Sequence, residues 1–401
     1  MYNTPRKNMQ RLAITVGIIP SRYILVKKAD KIFIKRSIEL AEMLSDNMLQ
    51  ANLVVITLDK SSFIHRLFIM LLEAKGILNA ILRIILGQVI LVMHLVKVIS
   101  SIHVLIFYQL SLEVPAMMLA KFLRKKTILY LGGSGSLSTF YSNNFTFSKF
   151  LRLNAIAYAV CYGMEKVALK LANRLIVVTP EVAERYGQRK YKVIPALAID
   201  GDFLNHFKLK RKISERGLSV AYIGRLTREK GILEFLFSIP IIATQNNVID
   251  FLIIGDGDML PIIKNFIRKL KIENRCKLIC AVSHQDVSEY LNNVKLLVLP
   301  SYTEGLPSVL LEALACGTPV LATPVGHIKS IITDGKNGFL LPDNRPKTIA
   351  QSIVAILPDE KRLEAVSEEA IKTFRRLHET MSSDSYVKLW KETIIELITN
   401  P

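Results

Sequence analysis

Short apolar segments with the character of β-strands recur along the chain, and segments with helical spacing of apolar residues separate them. In the first half the strand-like segments are Leu12–Ile19, Leu53–Leu58, Ile102–Phe107, Thr127–Leu131, Leu175–Val178 and Lys192–Ile194. In the second half they are Ser219–Ile223, Phe251–Ile254, Lys277–Ala281, Lys295–Leu299 and Pro319–Ala322. Helical spacing is found in Ile34–Leu44, Val114–Phe122, Ile232–Ile242 and Ile262–Leu270. This alternation predicts an α/β protein with parallel sheets covered by helices on both faces.

The number of strands predicts two doubly wound, Rossmann-like domains, and 401 residues are enough for both. The segment Pro195–Gly217 is polar and basic and has no clear periodicity, so we place the boundary there. The first domain is then residues 1–200 and the second is residues 201–383. The segment Ser383–Ile398 is predicted to be one amphipathic helix.

Positive charge is concentrated in the first half of the chain. Residues 1–200 contain 27 Lys and Arg against 11 Asp and Glu, whereas the remainder contains 26 against 23. An anionic partner would explain this excess: an acidic membrane surface, a phosphorylated substrate or nucleic acid. A solvated basic face without a partner is the alternative. We expect no nucleic-acid binding, because no basic patch with interleaved aromatic residues and no known nucleic-acid module is present.

Neither a membrane span nor a disulfide framework is predicted. The apolar segment Ile81–Phe107 has an uncharged centre of 13 residues, Ile84–Val96, against roughly 20 needed to cross a bilayer. A buried or interfacial helix is therefore expected there. The four cysteines have no CxxC spacing and no cleavage region follows the N-terminal residues, which favours reduced thiols in the cytoplasm.

A glycine- and serine-rich loop, Gly132-Gly133-Ser134-Gly135-Ser136, follows the predicted strand Thr127–Leu131. Small residues after a strand let backbone N–H groups approach a phosphate. The dinucleotide fingerprint is incomplete, since Ser138 occupies the position of its third glycine. Gly133 and Ser134 are therefore candidates for phosphate binding, and a flexible turn is the alternative.

Two cations follow the strand in "VAYIGRLTREKGILEFL", Val220–Leu236. This strand is expected to end at Gly224, with a helix that begins near Glu229. Cations at a helix N-terminus are disfavoured by the dipole, and a bound anion reverses that penalty. Arg225 and Lys230 could clamp a diphosphate, and a basic surface turn is the alternative.

A second loop between a strand and a helix occurs in "LLVLPSYTEGLPSVLLEALACGTPV", Leu296–Val320. The helix start, with Pro307 near its first turn, predicts an anion site formed by the free N–H groups of Gly305, Leu306, Ser308 and Val309. Glu312 lies on a helix that is apolar nearly all round, so it is either buried and bound to donors or an exposed glutamate. Eight helical residues separate it from Glu304 by about 12 Å, too far for a glycosidase pair.

The segments "GRLTREKG" and "EGLPSVLLEALACGTPV" resemble the retaining glycosyltransferases of family 4. The second contains the E-x7-E signature from Glu304 to Glu312. The segments "IIGDGDMLPII", "VSHQDVSEYL" and "VGHIKSIITDGKNGFLL" match in order, so the resemblance is strong over Val220–Leu341 and loose before it. It implies the GT-B fold, with two Rossmann-like domains facing across a cleft and residues 384–401 returning to the first.

The resemblance also implies roles for individual residues. Arg225 and Lys230 bind the diphosphate of a nucleotide-sugar donor, of UDP or GDP type, and Glu304 contacts the transferred sugar. Glu312 binds the ribose hydroxyls. The remaining positions near the donor are Gly224, Gly255, Gly257, His284 and the backbone of Gly305, Leu306, Pro307 and Ser308. We read Asp256-Gly257-Asp258 as a tight turn and expect no metal.

The implied reaction transfers a sugar with retention onto a glycan or a lipid-linked acceptor, in polysaccharide or lipopolysaccharide synthesis. A histidine that faces the donor sugar in many relatives is replaced here by Gly132, so its role cannot be assigned. The basic first half and the apolar segment Phe63–Ile99 favour peripheral docking on the inner face of the plasma membrane. The rivals are a sugar-nucleotide epimerase with the same fold and a non-catalytic protein that binds membrane or nucleic acid.

Overall fold

The structure is a computed structural model, and it describes residues 16–19, 89, 92–93, 95–97, 99–108, 114–131, 151–178, 180–194, 201–245, 248–280 and 282–399. Contacts divide the chain into two compact units. The first unit comprises residues 1–136, 156–194 and 387–401, and the second comprises residues 137–155 and 195–386. The predicted elements Leu53–Leu58 and Ile34–Leu44 and the Gly/Ser loop at 132–136 lie outside the described residues.

The first unit contains a parallel sheet in the order β1-β2-β3-β4-β5. Its strands are β1 (Val16–Ile19), β2 (Val104–Tyr108), β3 (Lys126–Leu131), β4 (Arg174–Val177) and β5 (Lys192–Val193). Its helices are α1 (Val114–Phe122), α2 (Leu151–Leu171, which begins in the second unit) and α3 (Pro180–Arg185). Strands β2 and β3 are buried almost throughout, as expected of parallel strands covered on both faces.

The last helix, α12 (Ser383–Thr399), joins the core of the first unit through its second half. Trp390 is fully buried and its ring lies 5.6 Å from that of Tyr130 on β3. Glu396 accepts a hydrogen bond of 3.1 Å from Arg174 Nη2, and Lys192 Nζ lies 3.6 Å from the same carboxylate. An aromatic contact and a pair of cations thus fix this helix against the sheet.

The second unit contains a six-stranded parallel sheet in the order β11-β10-β9-β6-β7-β8. Its strands are β6 (Gly217–Ile223), β7 (Asp250–Ile254), β8 (Cys276–Ile279), β9 (Val294–Leu299), β10 (Val320–Ala322) and β11 (Phe339–Leu340). The chain proceeds outward from β6 to β8 and then returns to place β9 on the other side of β6. The strand order therefore reverses between β6 and β9, which in open α/β sheets marks the ligand crevice.

The helices of the second unit alternate with these strands. They are α4 (Gly201–His206), α5 (Ile232–Gln245), α6 (Leu260–Lys269), α7 (Val287–Leu291), α8 (Ser308–Ala315), α9 (Ile328–Ile331), α10 (Pro346–Ile356) and α11 (Glu360–Met381). Helix α5 packs against α10, and α8 packs against α11. The apolar faces of α5, α10 and α11 join one core, in which the ring of Phe235 lies 5.9 Å from that of Tyr222 and 6.2 Å from that of Phe251.

The α/β prediction is confirmed, and most described strands lie within two residues of their predicted positions. Strand β1 is described over Val16–Ile19, within the predicted segment Leu12–Ile19, whereas β11 and several helices, among them α10 and α11, were not predicted. Strand β11 has two residues, too few to show a period of two. No helix in the described part of the chain combines the length and the apolar character needed to cross a membrane.

Three described cysteines, two in the core and one on the surface, form no disulfide. Cys276 and Cys316 are buried and free, and burial raises the pKa of each thiol to about 12. Cys280 is free and exposed. Because a thiolate is the reactive form, the two buried cysteines act as small apolar core residues.

The segment Pro195–Gly217 lacks periodicity, yet it is anchored by a buried arginine. The guanidinium of Arg216 donates hydrogen bonds of 2.9–3.2 Å to the carbonyl oxygens of Arg211, Leu291, Val294 and Cys316 and to Thr318 Oγ1. Burial lowers the pKa of Arg216 to about 10, so the side chain stays charged at neutral pH. One cation thus ties this segment to the end of α7, the start of β9 and the loop between α8 and β10.

We expect Arg216→Met to lower the free energy of unfolding of the second unit by about 3 kcal/mol or more, because several buried carbonyl groups lose their donor. Arg211→Met is the control: the Arg211 carbonyl, which binds Arg216, is kept, and the side chain that is lost makes one exposed hydrogen bond, to Asn293 Oδ1. Urea titration followed by circular dichroism compares the two. Equal stabilities would show that Arg216 is not an anchor.

Candidate active site

Two loops meet at the carboxyl ends of β6 and β9, on either side of the point where the strand order reverses. The first loop runs from Gly224 to Gly231 and contains one 3-10 turn, Arg228–Lys230. The second runs from Pro300 to Pro307. The α-helix after β6 begins at Ile232, three residues later than expected, because the 3-10 turn and the left-handed Gly231 precede it.

An ion pair joins the two loops. Lys230 Nζ lies 2.6 Å from Glu304 Oε2, and Ser301 Oγ donates to Glu304 Oε1 at 2.8 Å. The side chains are 19% and 7% exposed respectively, so this is a largely buried pair with one accessible cation. Each oxygen of Glu304 has a donor, as a buried carboxylate requires.

Glycines let the loops approach this closely. Gly231 has φ 69°, and a Cβ atom there would lie 1.9 Å from the carbonyl oxygen of Pro300. Gly326 has φ 56°, and a Cβ atom there would lie 2.3 Å from the carbonyl oxygen of Glu304. The backbone of Tyr302 also donates to the carbonyl of Glu229 at 2.9 Å. The position of Glu304 beside Lys230 therefore depends on contacts that no residue with a side chain could make.

Gly255 and Gly257 form the tight turn predicted after β7. A Cβ atom on Gly255 would lie 1.9 Å from the carbonyl oxygen of Gly224, and one on Gly257 would lie 2.4 Å from that of Leu226. Asp256 caps the turn by accepting from the N–H of Gly257 at 2.8 Å. The two glycines bring this turn against the Gly224 loop, and no cluster of three possible metal ligands occurs among the described residues.

Glu312 is buried, which excludes the alternative of an exposed helix glutamate. Its Oε1 lies 3.0 Å from His284 Nε2, and its side chain is 4% exposed whereas that of His284 is 64% exposed. The ring centroids of His284 and Phe207 lie 4.9 Å apart, and the ring planes are tilted by 55°. The accessible histidine thus lies between solvent and the buried carboxylate.

Helix α8 begins at Ser308, with Pro307 as its N-terminal cap residue in an extended conformation. The cap forms no side-chain hydrogen bond to the first turn. Gly305 and Leu306 precede it, and the carbonyl of Gly305 accepts from the N–H of His327 at 3.0 Å. The estimate of about 12 Å between Glu304 and Glu312 assumed that all eight intervening steps are helical. It was wrong, because Glu304 precedes the helix and only the steps from Ser308 to Glu312 are helical.

The sequence analysis missed Glu229. This carboxylate lies between the two expected diphosphate ligands, and its side chain is only 3% exposed. Its Oε1 is 3.4 Å from Arg225 Nη2, while its Oε2 is buried without a hydrogen-bond partner. Arg225 itself is 57% exposed, so Glu229 fixes one end of an otherwise free guanidinium. Nothing in the segment "REKG" indicates that its glutamate is buried. The burial of Glu229 depends on the loop after β9, which is distant in sequence.

Two tyrosines complete the base of the site. Tyr222 donates to the carbonyl of Arg225 at 2.9 Å, and Tyr302 donates to Glu234 Oε1 at 2.7 Å. Burial raises the pKa of both phenols, and nearby carboxylates, Glu304 for Tyr222 and Glu234 for Tyr302, raise it further. Both therefore remain neutral donors that stiffen the loops.

The remaining predicted positions are placed as follows. Gly224 follows β6 and its N–H donates to the carbonyl of Ile254 at 3.0 Å. Gly133 and Ser134 lie outside the described residues, so their predicted role stays a prediction. A surface depression of about 460 Å³ is found at the amino ends of β6, β7 and β8, the opposite edge of the sheet from the predicted residues.

We expect Gly231→Ala to destabilise the second unit by clearly more than the 1–2 kcal/mol that a left-handed alanine alone costs, because its Cβ clashes with the backbone of Pro300. Gly335→Ala is the matched control, since Gly335 has φ 70° and its Cβ would face the end of the Arg362 side chain at 3.0 Å. Thermal unfolding measures both. Equal losses would contradict a specific contact between the two loops.

Residues 206–373 match the family described as glycosyl transferases group 1. Among curated proteins, the chain is 26% identical over 260 residues to the capsular polysaccharide biosynthesis glycosyltransferase CapM of Staphylococcus aureus, covering 60% of this chain and 66% of CapM. It is 31% identical over 147 residues to an uncharacterized glycosyltransferase of Methanocaldococcus jannaschii, covering 37% and 40%. The chain thus spans between two fifths and two thirds of these relatives.

Solved structures resemble the whole chain. Sucrose-phosphate synthase of Thermosynechococcus elongatus superposes with a TM-score of 0.70 and 16% identity, over 97% of this chain and 100% of that one. HepE of Anabaena, solved with UDP, superposes with a TM-score of 0.65 and 17% identity, over 96% and 100%. These likenesses show the fold. Residues 206–373 therefore form a domain of the glycosyl transferases group 1 family, in a chain with the GT-B fold.

Proposed function

We propose that this protein is a retaining glycosyltransferase that uses a nucleoside-diphosphate sugar and transfers the sugar to a hydroxyl of a glycan or a lipid-linked acceptor. The observation that carries the proposal is the Lys230–Glu304 pair at the reversal of strand order in a glycosyl transferases group 1 domain. A cation and a carboxylate side by side suit a ligand that is anionic at one end and hydroxylated at the other.

In the proposed donor complex, Lys230 exchanges its contact with Glu304 for the diphosphate. Lys230 is partly accessible, and it lies on the loop from Gly224 to Gly231 that also carries Arg225. Glu304 then accepts hydrogen bonds from the sugar, while Ser301 still holds its other oxygen. The backbone at the start of helix α8 and the turn at Gly255 and Gly257 would approach the phosphates and the nucleoside.

The proposed reaction needs no base from the protein. The acceptor oxygen attacks the anomeric carbon on the face from which the diphosphate departs. The bond from this carbon to the phosphate oxygen breaks, and its electron pair leaves with the diphosphate. The acceptor proton passes to that departing oxygen as the new glycosidic bond forms. Arg225 and Lys230 stabilise the charge that develops on the leaving group.

Glu312 and His284 are the proposed ribose site. A buried carboxylate with one histidine donor can exchange that donor for two ribose hydroxyls, because His284 is exposed and can swing outward. HepE was solved with UDP, which makes uridine the first nucleoside to test. The first unit is the proposed acceptor domain, and the proposed location is the cytoplasmic face of the plasma membrane.

A thermal-shift panel of UDP, GDP, ADP, CMP and their sugar conjugates tests the donor site. A nucleotide at about 100 times its Kd adds roughly 2.7 kcal/mol to the free energy of unfolding, which raises the Tm by several degrees. We expect Lys230→Met to abolish the shift, because the diphosphate loses its point charge. Lys269→Met, on the exposed face of α6, is the control and should keep it. If no nucleotide shifts the wild-type protein, the proposal is wrong.

The effect of Glu229→Gln on nucleotide affinity distinguishes two roles of Glu229: a negative charge alone, or a residue that positions Arg225. Removal of a negative charge strengthens binding of an anionic ligand if charge alone matters. If Glu229 instead positions Arg225, Glu229→Gln lowers the affinity for the nucleotide that the thermal-shift panel identifies. The expected loss is about tenfold, because one charged contact to the ligand is lost. In an Arg225→Gln background the same change should then have no further effect. Calorimetric titration of the four proteins measures this, and tighter binding by Glu229→Gln refutes positioning.

A further inference from the structure

Helix α1, Val114–Phe122 in the first unit, is apolar on both of its faces. Its inner face buries Ala116, Met117 and Ala120 completely. Met118 and Phe122, four residues apart, form a second stripe that is 57% and 83% exposed. These two side chains lie on one face of the helix. We call this stripe, together with the following Leu123 at 40% exposure, the α1 apolar stripe.

A surface helix normally places charged residues opposite its buried face. Helix α6 of the second unit does so: it buries Ile263 and Ile267 and exposes Lys264, Arg268 and Lys269. Scattered exposed apolar residues need no explanation, but a phenylalanine that is 83% exposed beside two more apolar side chains is unusual. The α1 apolar stripe therefore indicates a surface that is covered in function.

Cations border this stripe. Lys121, Arg124, Lys125 and Lys126 occupy four of the six positions from 121 to 126, and no acidic residue interrupts them. Lys125 Nζ is used within the unit, since it donates to the carbonyl of Ser100 at 3.2 Å. Lys121 and Arg124 are exposed, so their charges face outward beside Phe122 and Leu123.

Arg124 occupies a backbone conformation that favours glycine. Its φ is 54°, and the helix ends there with hydrogen bonds from Arg124 N to the carbonyl of Lys121 and from Lys125 N to that of Ala120. This is the Schellman arrangement, whose left-handed position is usually glycine. Among the described residues, no side-chain hydrogen bond or ion pair of Arg124 compensates for this strain. The guanidinium is thus placed on the surface at a cost in stability.

We propose that the α1 apolar stripe and its basic border dock on an anionic lipid bilayer. Aromatic and aliphatic side chains insert at the boundary of headgroups and acyl chains, while Lys and Arg stay among the lipid phosphates. Each cation near such a surface contributes about fivefold in partitioning. A second copy of the chain fits less well, because a two-fold contact would oppose two basic borders, and lysine is depleted at such interfaces.

This inference deepens the proposed function, because it names the surface that meets the membrane. It rests on the proposed function only for the reason why the protein docks there. It also differs from the sequence-based expectation, which placed docking in Phe63–Ile99, a segment mostly outside the described residues. Vesicle binding is measured in the absence of any nucleotide. A failure of docking therefore leaves the thermal-shift result intact, and a failure of nucleotide binding leaves the vesicle result intact.

The test is co-sedimentation of the full chain with vesicles of equimolar phosphatidylglycerol and phosphatidylcholine, and with vesicles of phosphatidylcholine alone. We expect binding to the anionic vesicles that weakens as salt is raised. The double variant Met118→Ser and Phe122→Ser should lower partitioning at least tenfold, since the inserted apolar surface is lost. Ile262→Ser is the control. It changes one exposed apolar residue of the second unit, which is 43% exposed, and should bind as the wild-type protein does.

Arg124→Gly separates docking from folding. Glycine relieves the left-handed strain, so the variant should unfold at a higher temperature while it binds anionic vesicles about fivefold more weakly. Lys271→Gly is the matched control, because Lys271 has the same φ of 54° at the same position after α6. It should gain stability and keep wild-type vesicle binding.

Three results overturn the proposal. The first is equal and weak binding of the wild-type protein to both kinds of vesicle. The second is unchanged partitioning of the Met118→Ser and Phe122→Ser variant. The third is a wild-type dimer in sedimentation equilibrium that this variant converts to a monomer, which would assign the stripe to a second copy. Circular dichroism spectra that match that of the wild-type protein show that each variant keeps its fold.

Discussion

The candidate site depends on a close contact between two backbones. Gly231 packs against the carbonyl of Pro300 at a distance that leaves no space for a Cβ atom, and its φ of 69° turns the chain into helix α5. This contact holds the loop after β6 against the loop after β9. Lys230 and Glu304 consequently lie 2.6 Å apart although 74 residues separate them. Without the glycine, the cation and the carboxylate would belong to two independent loops.

Three buried carboxylates lie around these loops, and each is held in a different way. Glu304 is fully provided with donors by Lys230 and Ser301, Glu312 has His284, and Glu229 has Arg225 and one oxygen without a partner. Burial of charge without a partner is costly, so such carboxylates favour any ligand that brings donors or orders the neighbouring cations. In each case the basic partner, Arg225, Lys230 or His284, is more exposed than the carboxylate, so a ligand could displace that partner while the carboxylate stays in place.

Much of the fold follows from local sequence pattern. Strands buried on both faces are continuous apolar runs, and helices between them keep a period near 3.6, so alternation alone predicted parallel sheets. The pattern fails where elements are short or where a tertiary contact replaces periodicity. Strand β11 has two residues, and the segment before β6 is ordered by one buried arginine that bonds to carbonyl groups 75 to 100 residues away. Such partners are invisible to any local window.

The sequence by itself determined the fold class, the two loops that follow strands β6 and β9, and the residue types that resemble a nucleotide-sugar site, because these depend on local spacing and motif. The tertiary structure alone decided that Glu312 is buried, that Glu229 lies beneath Arg225, and that helix α8 begins only after Glu304. It also decided that Phe122 is exposed, although the same apolar spacing would suit a buried helix. Burial and pairing depend on which strands become neighbours, and that is fixed by long-range packing of the sheet.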